Sequence, residues 1–373
     1  MSRDNGERPD ARNLVRPHLL AMPGYEPVEP IDVMAARLGL RPDEISKLDG
    51  NENPYGASPA VRERLARYDQ YHIYPDPNQR AVREAIGDYV GVDAEQVVLG
   101  NGSDELLVMA ATLFVSPGDG VVFCPPTFGM YEFLGRTHDA RLIAVTRNED
   151  FTLDMDRLER ALDDGAKLLY LASPNNPTGN PLPREDLLRL LQHDVAVVID
   201  EAYAEFAGES AVDLVDQHGN LIVVRTFSKW AGLAGLRAGY AVIPGALGEV
   251  VWKTKVPYNL TVAAEQAILG SLEDRALLEE RVQLIVRERE RLAGLLKQMP
   301  FVKPYPSSGN FILCEIRGLS ALDVRDRLRQ RGILTRYFDS PGLRNCVRIS
   351  VGLAKDTDRV IAALQEMGAS VGR

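Results

Sequence analysis

Between residues 97 and 242 the chain keeps returning to one pattern: a short β-branched apolar segment, a break of glycine, proline or asparagine, then a stretch with helical spacing. The apolar segments fall at 97–99, 120–124, 168–171, 195–200, 221–226 and 239–242. Each is short and apolar enough for a strand covered on both faces, and strands separated in this way are what a parallel sheet with crossover helices requires. The pattern predicts an α/β domain over residues 46–265 with a mostly parallel central sheet. A charged helical stretch at 265–298, long enough to bridge two lobes, leads to apolar runs at 309–316 and 347–351 with a helix at 321–331 between them. That alternation predicts a smaller α+β domain over 266–373. The first 45 residues are proline-rich with one helical segment at 31–40, and read as an arm packed on the small domain or on a partner chain.

Charge narrows the partners. Lys and Arg number 43 against 53 Asp and Glu, a formal charge of −10, the wrong sign for gripping a phosphate backbone, so nucleic acid is not expected. Locally basic helical stretches interleave acids, as at Asp323, Arg325, Asp326 and Arg327, and read as solvated faces. Cys124, Cys314 and Cys346 are too few and too widely spaced for a disulfide framework or a zinc site, so no metal is expected. Residues 1–13 lack the apolar run of a signal peptide, and no later stretch reaches the roughly 18 apolar residues of a membrane span. A soluble, cytoplasmic protein is expected.

Open parallel sheets collect their chemistry at the carboxyl ends of strands. After 97–99 the chain reads Gly100-Asn101-Gly102-Ser103-Asp104 and enters a helical run, where free N–H groups and the helix dipole can cradle a phosphate. The third glycine of a dinucleotide fingerprint is missing, so this is either a phosphate loop of another kind or an ordinary strand-to-helix turn. After 168–171 comes Ser173-Pro174-Asn175-Asn176-Pro177-Thr178-Gly179, a stiffened loop presenting amides. Asp200 ends a buried run with Tyr203 three residues on, and a carboxylate there needs a partner. Thr226-Phe227-Ser228-Lys229 ends another, and Lys229 is a candidate covalent catalyst, although any single lysine is more often a solvated surface residue.

These phrases, with Asn51-Glu52-Asn53-Pro54-Tyr55-Gly56 and Cys124-Pro125-Pro126-Thr127-Phe128-Gly129-Met130-Tyr131, stand in family order and at family-like spacings. Over residues 48–351 the chain resembles the fold-type I pyridoxal-5′-phosphate (PLP) enzymes of the aspartate aminotransferase superfamily, and within them the histidinol-phosphate aminotransferase subfamily. The resemblance implies an aminotransferase acting on a small-molecule amino donor and a 2-oxo acid, with histidinol phosphate and 2-oxoglutarate expected, in histidine biosynthesis. It assigns Lys229 as the Schiff-base lysine and proton carrier, Asp200 as the partner of the cofactor's ring nitrogen, and Tyr203 and Asn176 as partners of its 3-oxygen. Phe128 takes the place of the aromatic stacked on the ring, where the family usually has Tyr. The phosphate falls to the amides of Gly102, Ser103 and Asp104, the hydroxyls of Thr226 and Ser228, and Arg237.

On the substrate side, Arg348 matches the arginine that grips an α-carboxylate, with an exposed strand arginine as the alternative, and Asn310 matches a residue lining the same pocket. Arg336 and Tyr25 match positions near the substrate phosphate, and Tyr55 matches a tyrosine that crosses a two-fold interface to the cofactor phosphate of the other subunit. The expected assembly is therefore a homodimer with shared sites. Three readings compete: an aromatic-amino-acid aminotransferase or a threonine-phosphate decarboxylase on the same scaffold, which cofactor residues cannot separate; a PLP-binding regulatory domain fused to a DNA-binding module, for which the segment ahead of the match is expected to be too short; and a nicotinamide oxidoreductase, disfavoured by the glycine spacing.

Overall fold

The structure, a computed structural model, describes residues 10–24 and 29–371, with side chains as far as residue 368. Tyr25 lies outside the described residues. In chain order the strands are β1 (Ser46–Leu48), β2 (Val97–Asn101), β3 (Gly120–Phe123), β4 (Arg141–Ala144), β5 (Ala166–Ala172), β6 (Ala196–Asp200), β7 (Leu221–Thr226), β8 (Ala238–Val242), β9 (Val302–Pro304), β10 (Phe311–Ile316), β11 (Ile333–Tyr337) and β12 (Cys346–Ser350).

Strands β2 to β8 make one sheet in the order β2-β8-β7-β6-β5-β3-β4, parallel throughout except for β8, which opposes both neighbours. The six apolar segments between residues 97 and 242 all become strands of this sheet. β4 was not anticipated: it is an edge strand whose residues are exposed or only partly covered, so it lacks the continuous apolar run that marks the others. Side chains alternate between two cores. Val197 and Ile199 of β6 and Leu221 and Val223 of β7 enter one, while Ala196, Val198, Ile222 and Val224 enter the other, against helices Ser103–Phe114 and Met130–Thr137. Strand parity therefore sends Asp200 and Thr226 toward the second face and Arg225 toward the first. There Arg225 donates to Glu205 at 2.8 Å and lies 3.8 Å from Glu201.

The other five strands form the sheet β1-β11-β12-β10-β9, with its own core of Leu48, Ile312, Cys314, Val347, Ile349 and the helix residues Val360 and Leu364. β1 pairs in parallel with β11, Ser46 opposite Ile333. This corrects the expected lobe boundary before residue 46: the chain leaves the smaller sheet only after Leu48, and a run of three residues is too short to show a strand period of its own. The bridging stretch is two helices, Val262–Glu273 and Arg275–Leu296, broken at Asp274, whose carboxylate accepts from the Ala60 N–H at 2.8 Å. In the N-terminal arm, helix Ile31–Leu38 buries Met34 and Ala35 against Ile45 and Leu334, on the smaller sheet.

Candidate functional site

A cleft of about 1560 Å³ opens where the two sheets meet. Its walls include Ser103, Asp104, Phe128, Asn176, Asp200, Tyr203, Thr226, Ser228, Lys229 and Arg237 from the large lobe, and Arg336 and Arg348 from the smaller one. Residues as far apart in sequence as 103 and 348 are thus gathered at one place.

Asp200 ends β6 and is buried. Its partners are the Tyr131 hydroxyl, which donates to Oδ2 at 2.9 Å, and the Ala202 N–H, which donates to Oδ1 at 3.1 Å. Burial pushes its pKa up to about 6, against the pull of these two hydrogen bonds. Tyr131 is the residue that sequence reasoning left without a role: fully buried, it stacks on Tyr170 at 5.2 Å, and Tyr170 is anchored to the Leu107 carbonyl in helix Ser103–Phe114. Its place at the start of helix Met130–Thr137, one turn after Phe128, was the available signal. Phe128 meets Tyr131 edge to face at 5.7 Å.

The glycine-rich turn is shaped by close approach. Gly102 has φ +76°, and a Cβ there would come within 2.2 Å of Arg237 Nη2. Gly239, between Thr226 and Gly100 in the sheet, would clash with Gly102 C and Ser103 N at 2.6 Å if it carried a Cβ. Bare backbone on both sides lets the first N–H groups of the helix, the Arg237 guanidinium and the hydroxyls of Thr226 and Ser228 share one corner. Arg237 donates to Asp104 at 2.9 Å, and Thr226 Oγ1 lies 3.0 Å from Ser228 Oγ. Gly102 itself supplies the geometry of this corner from behind the cleft wall.

Lys229 donates from Nζ to the Gly50 carbonyl at 3.0 Å. Its pKa is pushed down to about 8 by burial first and then by the positive charges of Arg348 and Arg237, with Glu52 opposing. Arg348 donates from Nη1 to Asn176 at 2.6 Å and from Nη2 to the Asp49 carbonyl, and is buried. That decides against an exposed strand arginine. Asn310, expected to line the pocket, lies fully buried behind its wall instead, because its amide donates to the Asn51 carbonyl at 3.0 Å. Tyr55 is 36% exposed and stands outside the cleft of its own chain, its ring 6.0 Å from the Arg281 guanidinium.

The corner of N–H groups, hydroxyls and Arg237 suits a phosphate, the buried acid suits a protonated ring nitrogen, and the depressed amine suits a carbonyl carbon. Among the described residues no group of His, Cys, Asp and Glu is placed to hold a metal ion, and no helix is long and apolar enough to cross a membrane.

Comparison with known proteins agrees with this geometry. The family of class I and II aminotransferases matches residues 43–364. A histidinol-phosphate aminotransferase of Roseiflexus castenholzii is 48% identical over 366 residues, covering 95% of this chain and 98% of its own. The chloroplastic histidinol-phosphate aminotransferase 1 of Arabidopsis thaliana is 43% identical over 357 residues, covering 95% and 86%. The crystal structure of histidinol-phosphate aminotransferase from Sinorhizobium meliloti, in complex with pyridoxal-5′-phosphate, superposes with a TM-score of 0.87 at 26% identity, covering 96% of this chain and 98% of that one. The chain belongs to the class I and II aminotransferase family, and within it to the histidinol-phosphate aminotransferases.

Proposed function

We propose that this chain is a PLP-dependent transaminase that moves the amino group of L-histidinol phosphate to 2-oxoglutarate, yielding imidazole-acetol phosphate and L-glutamate. The observation that carries the proposal is Lys229, an amine whose pKa falls to about 8 at a strand end that also collects a buried acid and a phosphate-shaped corner. At that pKa roughly a tenth of the amine is neutral and nucleophilic at pH 7, far more than for an ordinary lysine.

PLP, when bound, supplies an electron sink for the bond broken at the substrate's α-carbon. Arg237, the Ser103 end of its helix, Thr226 and Ser228 would hold its phosphate, and Gly102 fits because any side chain there would displace Arg237. Asp200 would face the ring nitrogen, with Tyr131 and Ala202 holding its carboxylate in place. Phe128 would cover the ring, and Tyr203 and Asn176 would reach its 3-oxygen. Lys229, released from Gly50 O, would carry a proton to and from the α-carbon. Arg348 and Arg336 give the substrate end two cationic forks, so the same pocket can take a phosphate ester in one half-reaction and a carboxylate in the other.

The working assembly in this reading is a homodimer in the cytoplasm. Its support is Tyr55, turned outside its own cleft, and an exposed aromatic surface in which Tyr74 and Tyr258 lie 4.8 Å apart. The three cysteines are all unpaired and buried, as a reducing compartment permits. The test is a half-reaction: PLP-loaded protein is mixed with glutamate, histidinol phosphate, aromatic amino acids or threonine phosphate while cofactor absorbance is followed. Histidinol phosphate and glutamate should each convert it, with the other donors far slower; consumption of threonine phosphate with release of CO₂ and the cofactor left unconverted would replace the proposal with a decarboxylase.

A further inference from the structure

The segment crossing from the smaller sheet into the large lobe is tied down on every side. Lys229 donates to Gly50 O, Arg348 to Asp49 O, Asn310 to Asn51 O at 3.0 Å, and Asn53 donates to Trp230 O at 2.7 Å. At its centre Asn51 is buried with φ +53°, a conformation that asparagine tolerates better than most residues. Its bonds have a fixed polarity. The Asn51 backbone N–H can only donate, and it donates to Ser350 Oγ at 2.9 Å. The Ser350 proton is thereby directed to Asn51 Oδ1 at 2.7 Å, which in turn orients the amide so that Nδ2 faces the Tyr203 hydroxyl at 3.0 Å. Tyr203 therefore accepts from Asn51, and its own proton points elsewhere.

We infer that Asn51, oriented by Ser350, is a positioning residue that makes the Tyr203 hydroxyl a hydrogen-bond donor toward the cleft rather than an acceptor from it. The inference rests on the proposed PLP function, in which Tyr203 reaches the cofactor's 3-oxygen. It adds a role for two residues that the sequence left without one, Asn51 on the crossing segment and Ser350 on β12. It also links the arms of the site: Ser350 lies two residues beyond Arg348 on one strand, so the strand that presents the substrate's anion grip also sets the direction of the phenol's proton.

The experiment uses Asn51→Asp, which keeps the shape and tolerates positive φ but presents an oxygen in place of the amide, so Tyr203 would turn its proton toward residue 51. Donation to the 3-oxygen favours the unprotonated form of bound PLP. Its loss should raise the pH midpoint of the absorbance change of the PLP-loaded protein by about one unit, the size of one hydrogen bond. A new carboxylate could raise that midpoint by charge alone, so the same substitution is made in a Tyr203→Phe background. An effect carried by the phenol disappears there, whereas an equal shift in both backgrounds overturns the inference. Ser350→Ala adds no charge and serves if Asn51→Asp does not fold. It should raise the midpoint by a smaller amount, again only when Tyr203 is present, and an unchanged midpoint in a folded variant with wild-type PLP affinity also overturns it. If wild-type protein develops no absorbance with PLP, the proposed function fails and takes this inference with it; a normal wild-type titration with unmoved variants sinks the inference alone.

Discussion

Arg336 and Arg348 stand directly opposite each other across the antiparallel pair β11 and β12, and both guanidinium groups lie against the Phe338 ring, 5.8 and 5.6 Å from its centroid. Like charges opposed on one face of a sheet repel, and an anion between them relieves that repulsion. The pair is thus placed to receive an anion between its two forks. Loss of a charge-assisted contact typically costs about 1.5 to 3 kcal/mol, so Arg336→Ala should raise KM for histidinol phosphate roughly tenfold or more. Phenylalanine should be affected far less. Equal losses for both substrates in steady-state kinetics would count against a phosphate-specific role.

Replacing Lys229 with alanine should abolish turnover, because no other amine lines the cleft near Asp200 and Tyr203 among the described residues except Lys303, on the smaller sheet. Noncovalent PLP binding should survive in part through Arg237 and the Gly102 turn. Absorbance and equilibrium dialysis separate the two effects. A Lys229→Ala protein with wild-type transamination would remove the basis of the assignment.

Asp200 gives stability and function opposite demands. Burial raises its pKa from 3.8 to about 6 in the folded protein, so the folded chain binds more protons than the unfolded one between those values. This contribution is fully present below pH 3.8 and is lost as pH rises through about 6. Tyr131→Phe deletes a donor to the ionised form, raises that folded pKa further by about one unit, and extends the loss to higher pH. Asp200→Asn should remove this component and stabilise the cofactor-free protein at pH 7.5 while disabling catalysis. Melting temperatures of the three cofactor-free proteins between pH 4.5 and 8 check the order.

If Tyr55 completes the site of the other subunit, a mixed dimer of an inactive Tyr55 variant and Lys229→Ala contains one doubly damaged site and one intact site. Partial recovery of activity is expected after subunit exchange. If Tyr55 serves its own chain, every site keeps one defect and activity stays at zero, with exchange verified by tagged subunits.

The repeated apolar runs determined the large sheet from sequence alone, because a strand covered on both faces is a nearly continuous apolar run and can be read without knowing its neighbours. Strand ends then pointed to Asp200 and Lys229, since side chains beyond an apolar run have to face the open edge. Local reading could not supply which side chains meet across long separations. β4 escaped because an edge strand needs no apolar run, and β1 because three residues take their strand identity from β11, nearly three hundred positions away. Asn310 was displaced from pocket to wall, and Tyr131 and Asn51 acquired partners, for the same reason: a hydrogen bond between residues such as 51 and 350 leaves no periodic trace in either segment. Residue types and their order determined the chemistry available to this chain, and only the tertiary structure decided which donors face which acceptors, because hydrogen-bond direction depends on distances that two sheets set together.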